Sequence, residues 1–136
     1  MSPREERRPT DAELEILNAL WERGPCTVRE VYDALRPGRA TRYTTTLKLM
    51  QIMAEKGLVT RDESQRAHLY RAASPRERTL RGLAADMLDR VFGGSAEKLV
   101  LHALQSKKVS AGEIAKIREL LDTYEEVRDP SREGKK

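Results

Sequence analysis

The chain has 136 residues, 26 Lys/Arg against 22 Asp/Glu for a net charge of +4, and 38% hydrophobic but only 4% aromatic side chains. That length holds one ordinary domain or two small ones needing help from each other or a partner, and so few aromatics exclude a thick core in favour of short helices with many solvated faces. One cysteine, Cys26, excludes an internal disulfide or a Cys-rich metal site; with no signal-peptide core and no apolar run near ~20 residues, a cytoplasmic protein is expected.

Helix starts are marked by a hydroxyl residue followed three positions later by Glu. Thr10/Glu13, Thr27/Glu30, Ser74/Glu77 and Ser110/Glu113 all have this capping-box spacing. After a tail over residues 1–8, the first helix is predicted from about Asp11 to Glu22, with Leu14, Leu17, Leu20 and Trp21 facing the core and Gly24-Pro25 ending it. The second spans Val28 to Leu35, with Val28, Val31, Tyr32 and Leu35 on one stripe, closed by Pro37-Gly38. Cys26-Thr27 is compatible with a short bridging strand. The third runs from about Arg42 to Lys56, with Gly57 as its C-cap.

Two short β-branched runs follow, Leu58 to Arg61 and His68 to Arg71, joined by a charged loop. Beyond Ala73 the pattern is purely helical. A helix over Pro75 to Phe92 presents Leu80, Leu83, Met87 and Val91, and Gly93-Gly94 breaks it. The next, Ala96 to Gln105, presents Leu99, Val100 and Leu104. The last, Ala111 to Glu126, presents Ile114, Ile117 and Leu121. These stripes have no second layer to cover them, so the economical arrangement pairs two chains into a dimerisation region. The expected division is therefore a helix-and-hairpin domain over 9–73, a helical dimerisation domain over 74–126 and a flexible tail over 127–136.

A helix followed at once by a β-hairpin, both basic, is the element order of a winged helix-turn-helix. Charge agrees: residues 1–35 carry five Lys/Arg against eight Asp/Glu, residues 36–73 eight against three, and residues 74–136 thirteen against eleven. Positive charge collects around the third helix and the wing, as a phosphate-facing surface requires. Projected at ~100° per residue, Tyr43, Leu47, Met50 and Ala54 form the packing stripe of the third helix. Thr41, Arg42, Thr45 and Lys48 lie opposite, with Thr44 at the boundary. These are the candidate groove residues, since Thr and Arg bond phosphates or base edges. Leu49 and Ile52 also project outward, yet burial is the expected fate of each. On the wing, Gln65 and Arg66 are the candidate phosphate or minor-groove contacts, and His68 reads as a surface residue.

Four segments carry a family resemblance: PTDAELEILNALWERGPCTVREVYDAL, YTTTLKLMQIMAEKGLV, RAHLYRA and GGSAEKLVLHAL. Across about residues 9 to 125 the chain resembles penicillinase-repressor transcriptional regulators. The resemblance implies a dimeric repressor with an N-terminal winged helix, bound to a palindromic double-stranded DNA operator. It also implies release by a membrane sensor-protease pathway that leads to cleavage in the C-terminal region. The bond at that place is His102–Ala103, after Leu99-Val100-Leu101, where the family's best-known members have Asn and Phe. Metal-responsive relatives carry a C-terminal Cys cluster absent here, so no metal or other cofactor and no small-molecule ligand is expected. With His68 and His102 far apart and no Gly-rich phosphate loop, an enzyme is not expected either. The alternative is a winged-helix adaptor that binds an acidic protein without reading DNA sequence.

Overall fold

The computed structural model describes residues 8–38 and 40–128; most of the two expected tails lies outside them. Within that range are six helices, α1 (Asp11–Arg23), α2 (Val28–Leu35), α3 (Tyr43–Lys56), α4 (Arg76–Val91), α5 (Ala96–Ser106) and α6 (Ala111–Val127). One hairpin, β1 (Val59–Asp62) and β2 (Leu69–Ala72), lies between α3 and α4. The fold is mainly α with a small antiparallel sheet, in the order a winged helix-turn-helix requires. Two compact units divide at Asp86/Met87.

In the first unit, α1, α2 and α3 pack on one another while β2 lies on α1 and β1 on α3. The core is Ile16, Leu17, Leu20, Cys26, Val28, Val31, Met50, Met53, Val59 and Tyr70, with Trp21, Leu35, Leu47 and Leu49 around it. Fully burying each large apolar side chain stabilises by roughly 1.5–3 kcal/mol. Ile16 belongs to this core although the predicted α1 stripe omitted it, and Leu14 is only half-buried. Both strands sit one residue later than expected, in the register Val59↔Ala72, Thr60↔Arg71, Arg61↔Tyr70 and Asp62↔Leu69. The bridging strand is one antiparallel pair, Cys26 with Tyr70, bonded both ways at 3.0 and 2.7 Å.

Two capping boxes are complete, at Thr10/Glu13 and Thr27/Glu30. Ser110 makes the hydroxyl half of a third, accepting from Glu113 N–H at 3.1 Å. Pro75, expected as a first helical residue, instead flanks α4, whose first bond runs from Thr79 N–H to the Pro75 carbonyl. The start of α4 is tied to the first unit beyond the 73/74 change of pattern. Trp21 Nε1 donates to the Ser74 carbonyl at 2.9 Å, and the Arg76 guanidinium lies over the Trp21 ring. Arg8 and Asp86 form an ion pair.

Glu13 does more than cap. It is 2% exposed, accepts from its own cap amide, and takes Lys56 Nζ on both oxygens at 2.9 and 3.0 Å. The first turn of α1 is thereby fixed to the last turn of α3. Gly57, at φ 85°, ends α3 in the left-handed region. Its N–H bonds Ala54 and the Leu58 N–H bonds Met53, the reciprocal pattern that closes a helix onto a glycine. Ala73 N–H then bonds the Leu58 carbonyl, pinning the hairpin's far end to the same corner.

The second unit holds the end of α4 with α5 and α6. The Gly94 N–H reaches back to the Leu88 carbonyl, and Ser95, a cap the sequence reading passed over, starts α5 by accepting from Lys98 N–H. The Phe92 and His102 rings stack at 5.8 Å. No residue of α4, α5 or α6 is fully buried. No helix among the described residues is long and apolar enough to cross a membrane.

Replacing Lys56 by Met strands the Glu13 carboxylate in the core with only its cap amide. Because Lys56 is itself partly solvated, the expected loss is about 1–3 kcal/mol rather than the full cost of a broken buried pair, read from urea unfolding.

Candidate nucleic-acid interface

The surface of interest begins where α3 begins. Arg42 is its N-cap, in extended backbone, and its side chain makes no capping bond. Among the described helices α3 alone lacks an acidic residue in its first turn. A helix start carries about half a positive charge on unpaired amides. At α1, α2 and α6 a threonine or serine and a glutamate answer it; the first turn of α3 carries no acid and its N-cap side chain makes no bond, the nearest carboxylate along the crevice being Glu15 of α1. That end is open to an external anion.

Arg42, Thr44, Thr45 and Lys48 are exposed and Thr41 is half-buried. Thr44, Thr45 and Lys48 share a shallow surface depression with Leu49 and Ile52. Thr41 and Thr45 also line a small crevice with Leu35, Arg36 and Leu49. Five of the seven sequence-derived candidates thus belong to one end of α3. Leu49 packs on the core while Ile52 stays half-buried, so the burial expected of this pair is partial.

The packing stripe itself differs from the projection. Thr46, Met50 and Met53 are buried, and Tyr43 is 36% exposed. The true stripe is rotated by roughly 60° from the expected one at ~100° per residue. The cause is Thr46, whose hydroxyl tolerates burial in a helix because it can bond the carbonyl one turn back. The displaced Tyr43 meets Tyr32 edge-on, with ring centroids 5.7 Å apart. Arg29 lies 5.7 Å over Tyr32 and 5.8 Å over Tyr43, and Arg36 lies 5.9 Å over Tyr32. This cluster at the α2–α3 corner was not among the sequence-derived candidates. Its visible signal was only a Tyr at the position chosen for the core.

Gln65, Arg66 and His68 are exposed in the hairpin loop, where the sequence placed them. The loop is shaped at its start, where Asp62 Oδ1 accepts from Ser64 N–H at 2.9 Å. That bond holds the Asp62 carboxyl below its ordinary 3.8, with further help from the Ser64 side chain. Arg61 is engaged within the sheet, by the Tyr70 hydroxyl and by Glu63 at 2.7 Å. Cys26 is 3% exposed, and burial pushes its thiol up, keeping it protonated and unreactive.

Of the residues proposed for dimerisation, Leu80, Met87 and Val91 on α4, Val100 and Leu104 on α5 and Leu121 on α6 are exposed. Leu83, Leu99, Ile114 and Ile117 are half-buried. His102 and Ala103 are exposed within α5.

Comparison with known proteins places this arrangement. Residues 9–123 match the penicillinase repressor family. The chain is 33% identical to the transcriptional regulator BlaI of Mycobacterium tuberculosis over 117 residues, 85% of this chain and 83% of the other. It is 21% identical to the penicillinase repressor of Bacillus licheniformis, covering 85% and 90% of the two chains. For the penicillinase repressor of Staphylococcus aureus the identity is 20%, over 82% and 88%.

The Asp62 turn gives a pH dependence. Because the ionised carboxylate is the acceptor, the turn is intact at neutral pH and above 3.8, and is lost as pH falls through the lowered folded value. The Ser64 amide resonance should therefore titrate below pH 3.8 in the native protein and lose that step in Asp62→Ala.

Proposed function

This chain belongs to the penicillinase repressor family, and from that premise we propose that it is a DNA-binding transcriptional repressor acting as a dimer on a palindromic operator. The observation that carries the reading is the start of α3. It has no carboxylate in its first turn, no side-chain cap, and Arg42, Thr44, Thr45 and Lys48 exposed around it. Phosphate contacts from this end position the protein, and threonine and arginine side chains reach base edges. Gln65 and Arg66 on the hairpin add contacts to the neighbouring backbone or minor groove.

Dimerisation is supported by α4, α5 and α6, whose apolar residues reach no full burial within one chain. A second copy offers the same stripes in return, as an isologous interface requires. Two copies would then read half-sites about one helical turn apart.

The regulation we attach to this reading is release through a membrane sensor-protease pathway, with the His102–Ala103 bond as the candidate cut. That bond lies inside α5, so cleavage would need local opening of the helix first. A cut there would sever Leu80, Leu83, Met87 and Val91 from Ile114, Ile117 and Leu121, and a dimer built from both sets would loosen.

Fluorescence anisotropy on the promoter of its own gene tests the DNA reading. Binding should be at least a thousandfold tighter than to random duplex at ~150 mM salt, and Lys48→Ala or Arg42→Ala should weaken it by about tenfold or more. Equal affinity for both duplexes would overturn the repressor reading and leave a protein-binding adaptor. Separately, sedimentation at micromolar concentration should give a dimer, and Leu121→Lys should give a monomer with most operator affinity lost.

A further inference from the structure

We propose that Arg29 and Arg36, braced on Tyr32 and Tyr43, form a phosphate clamp that grips the DNA backbone beside the groove entered by α3. The inference rests on the DNA-binding reading and extends it to α2, which the sequence candidates left out.

Three observations support it. Both guanidinium groups sit within 5.9 Å of the same Tyr32 ring. Asp33, 3.5 Å from Arg29 Nε, is a half-exposed partner and offsets only one of the two cations slightly. Second, a core-packing role does not account for the cluster, because Arg29, Arg36 and Tyr43 all stay exposed. Third, the contact from Arg29 Nε to Asp33 is long, 3.5 Å, and joins two solvated side chains, so it competes only weakly with a phosphate. A guanidinium lying over an aromatic ring keeps its planar fork and loses little freedom when it takes a phosphate.

Position decides which anion. Tyr43 is the first residue of α3. A helix is about 10–12 Å across and the major groove about 12 Å wide, so residues flanking the entering end meet the backbone rather than the bases. The clamp is therefore expected to hold position and carry no sequence preference.

The test is the salt dependence of binding by the full-length protein, on operator and on random duplex. Arg29→Gln should lower the log–log slope by about 0.9 on both, and Arg29→Gln with Arg36→Gln by about 1.8. Both duplexes should be weakened by the same factor, with the thermal midpoint unchanged and the slope restored in Arg29→Lys. A merely structural brace would instead lower the thermal midpoint and the operator-to-random ratio while leaving the random-duplex slope alone. An unchanged slope in the double variant, with wild type still preferring its operator, overturns the clamp alone. A wild type that prefers no duplex overturns the repressor reading and the clamp with it.

Discussion

The bond from Lys56 to Glu13 sets the geometry on which the interface depends. Glu13 is buried and already committed to the cap of α1, so it can accept Lys56 at only one place. The last turn of α3 is thereby fixed against the first turn of α1. The glycine closure at Gly57 and the Ala73–Leu58 bond then set the hairpin from the same corner. Helix and wing share one anchor, so their relative placement is fixed from that corner. Buried ion pairs add little net stability compared with apolar packing. The physical use of this one is directional: of the ways α3 could lie on the Met50–Met53 contact, it selects one.

Anchoring α3 at its C-terminal end leaves the other end free for chemistry, and the charges follow that division. Glutamates close the starts of α1 and α2, where an unpaired amide would serve no partner. At α3 the acids stop and arginines gather, with Arg42 at the cap and Arg29 and Arg36 around the two tyrosines. The same backbone dipole is neutralised by side chains of the chain at α1 and α2 and has no acid in the first turn to meet it at α3. A net charge of only +4 therefore understates how basic the working surface is.

Local rules made much of this legible. Capping pairs, Gly57 and the helix-then-hairpin order located the elements of the first unit to within a residue or two, because each is decided by neighbours in sequence. What escaped was decided by neighbours in space. Lys56 and Glu13 are 43 positions apart and nothing local links them. Tyr43 went to the core in projection, and Thr46 was given no face at all. The structure buries Thr46, 5% exposed, and leaves Tyr43 36% exposed. The Arg29–Arg36 cluster was hidden behind that one error of face.

The second unit shows the opposite balance. In the first, a plug such as Tyr70, bonded to Cys26 and 2% exposed, closes a core that short helices alone could not. The second has no hairpin to supply that plug. On α6 the apolar positions Ile114, Ile117, Leu120, Leu121, Tyr124 and Val127 spread over about 140° at ~100° per residue, wider than one neighbouring helix covers. A stripe that wide suits a helix with two neighbours, and within one chain it leaves Leu120, Leu121, Tyr124 and Val127 more than half exposed. Residues so placed contribute little until they are covered. Folding of this unit is then expected to be coupled to the covering of those positions, one equilibrium rather than two.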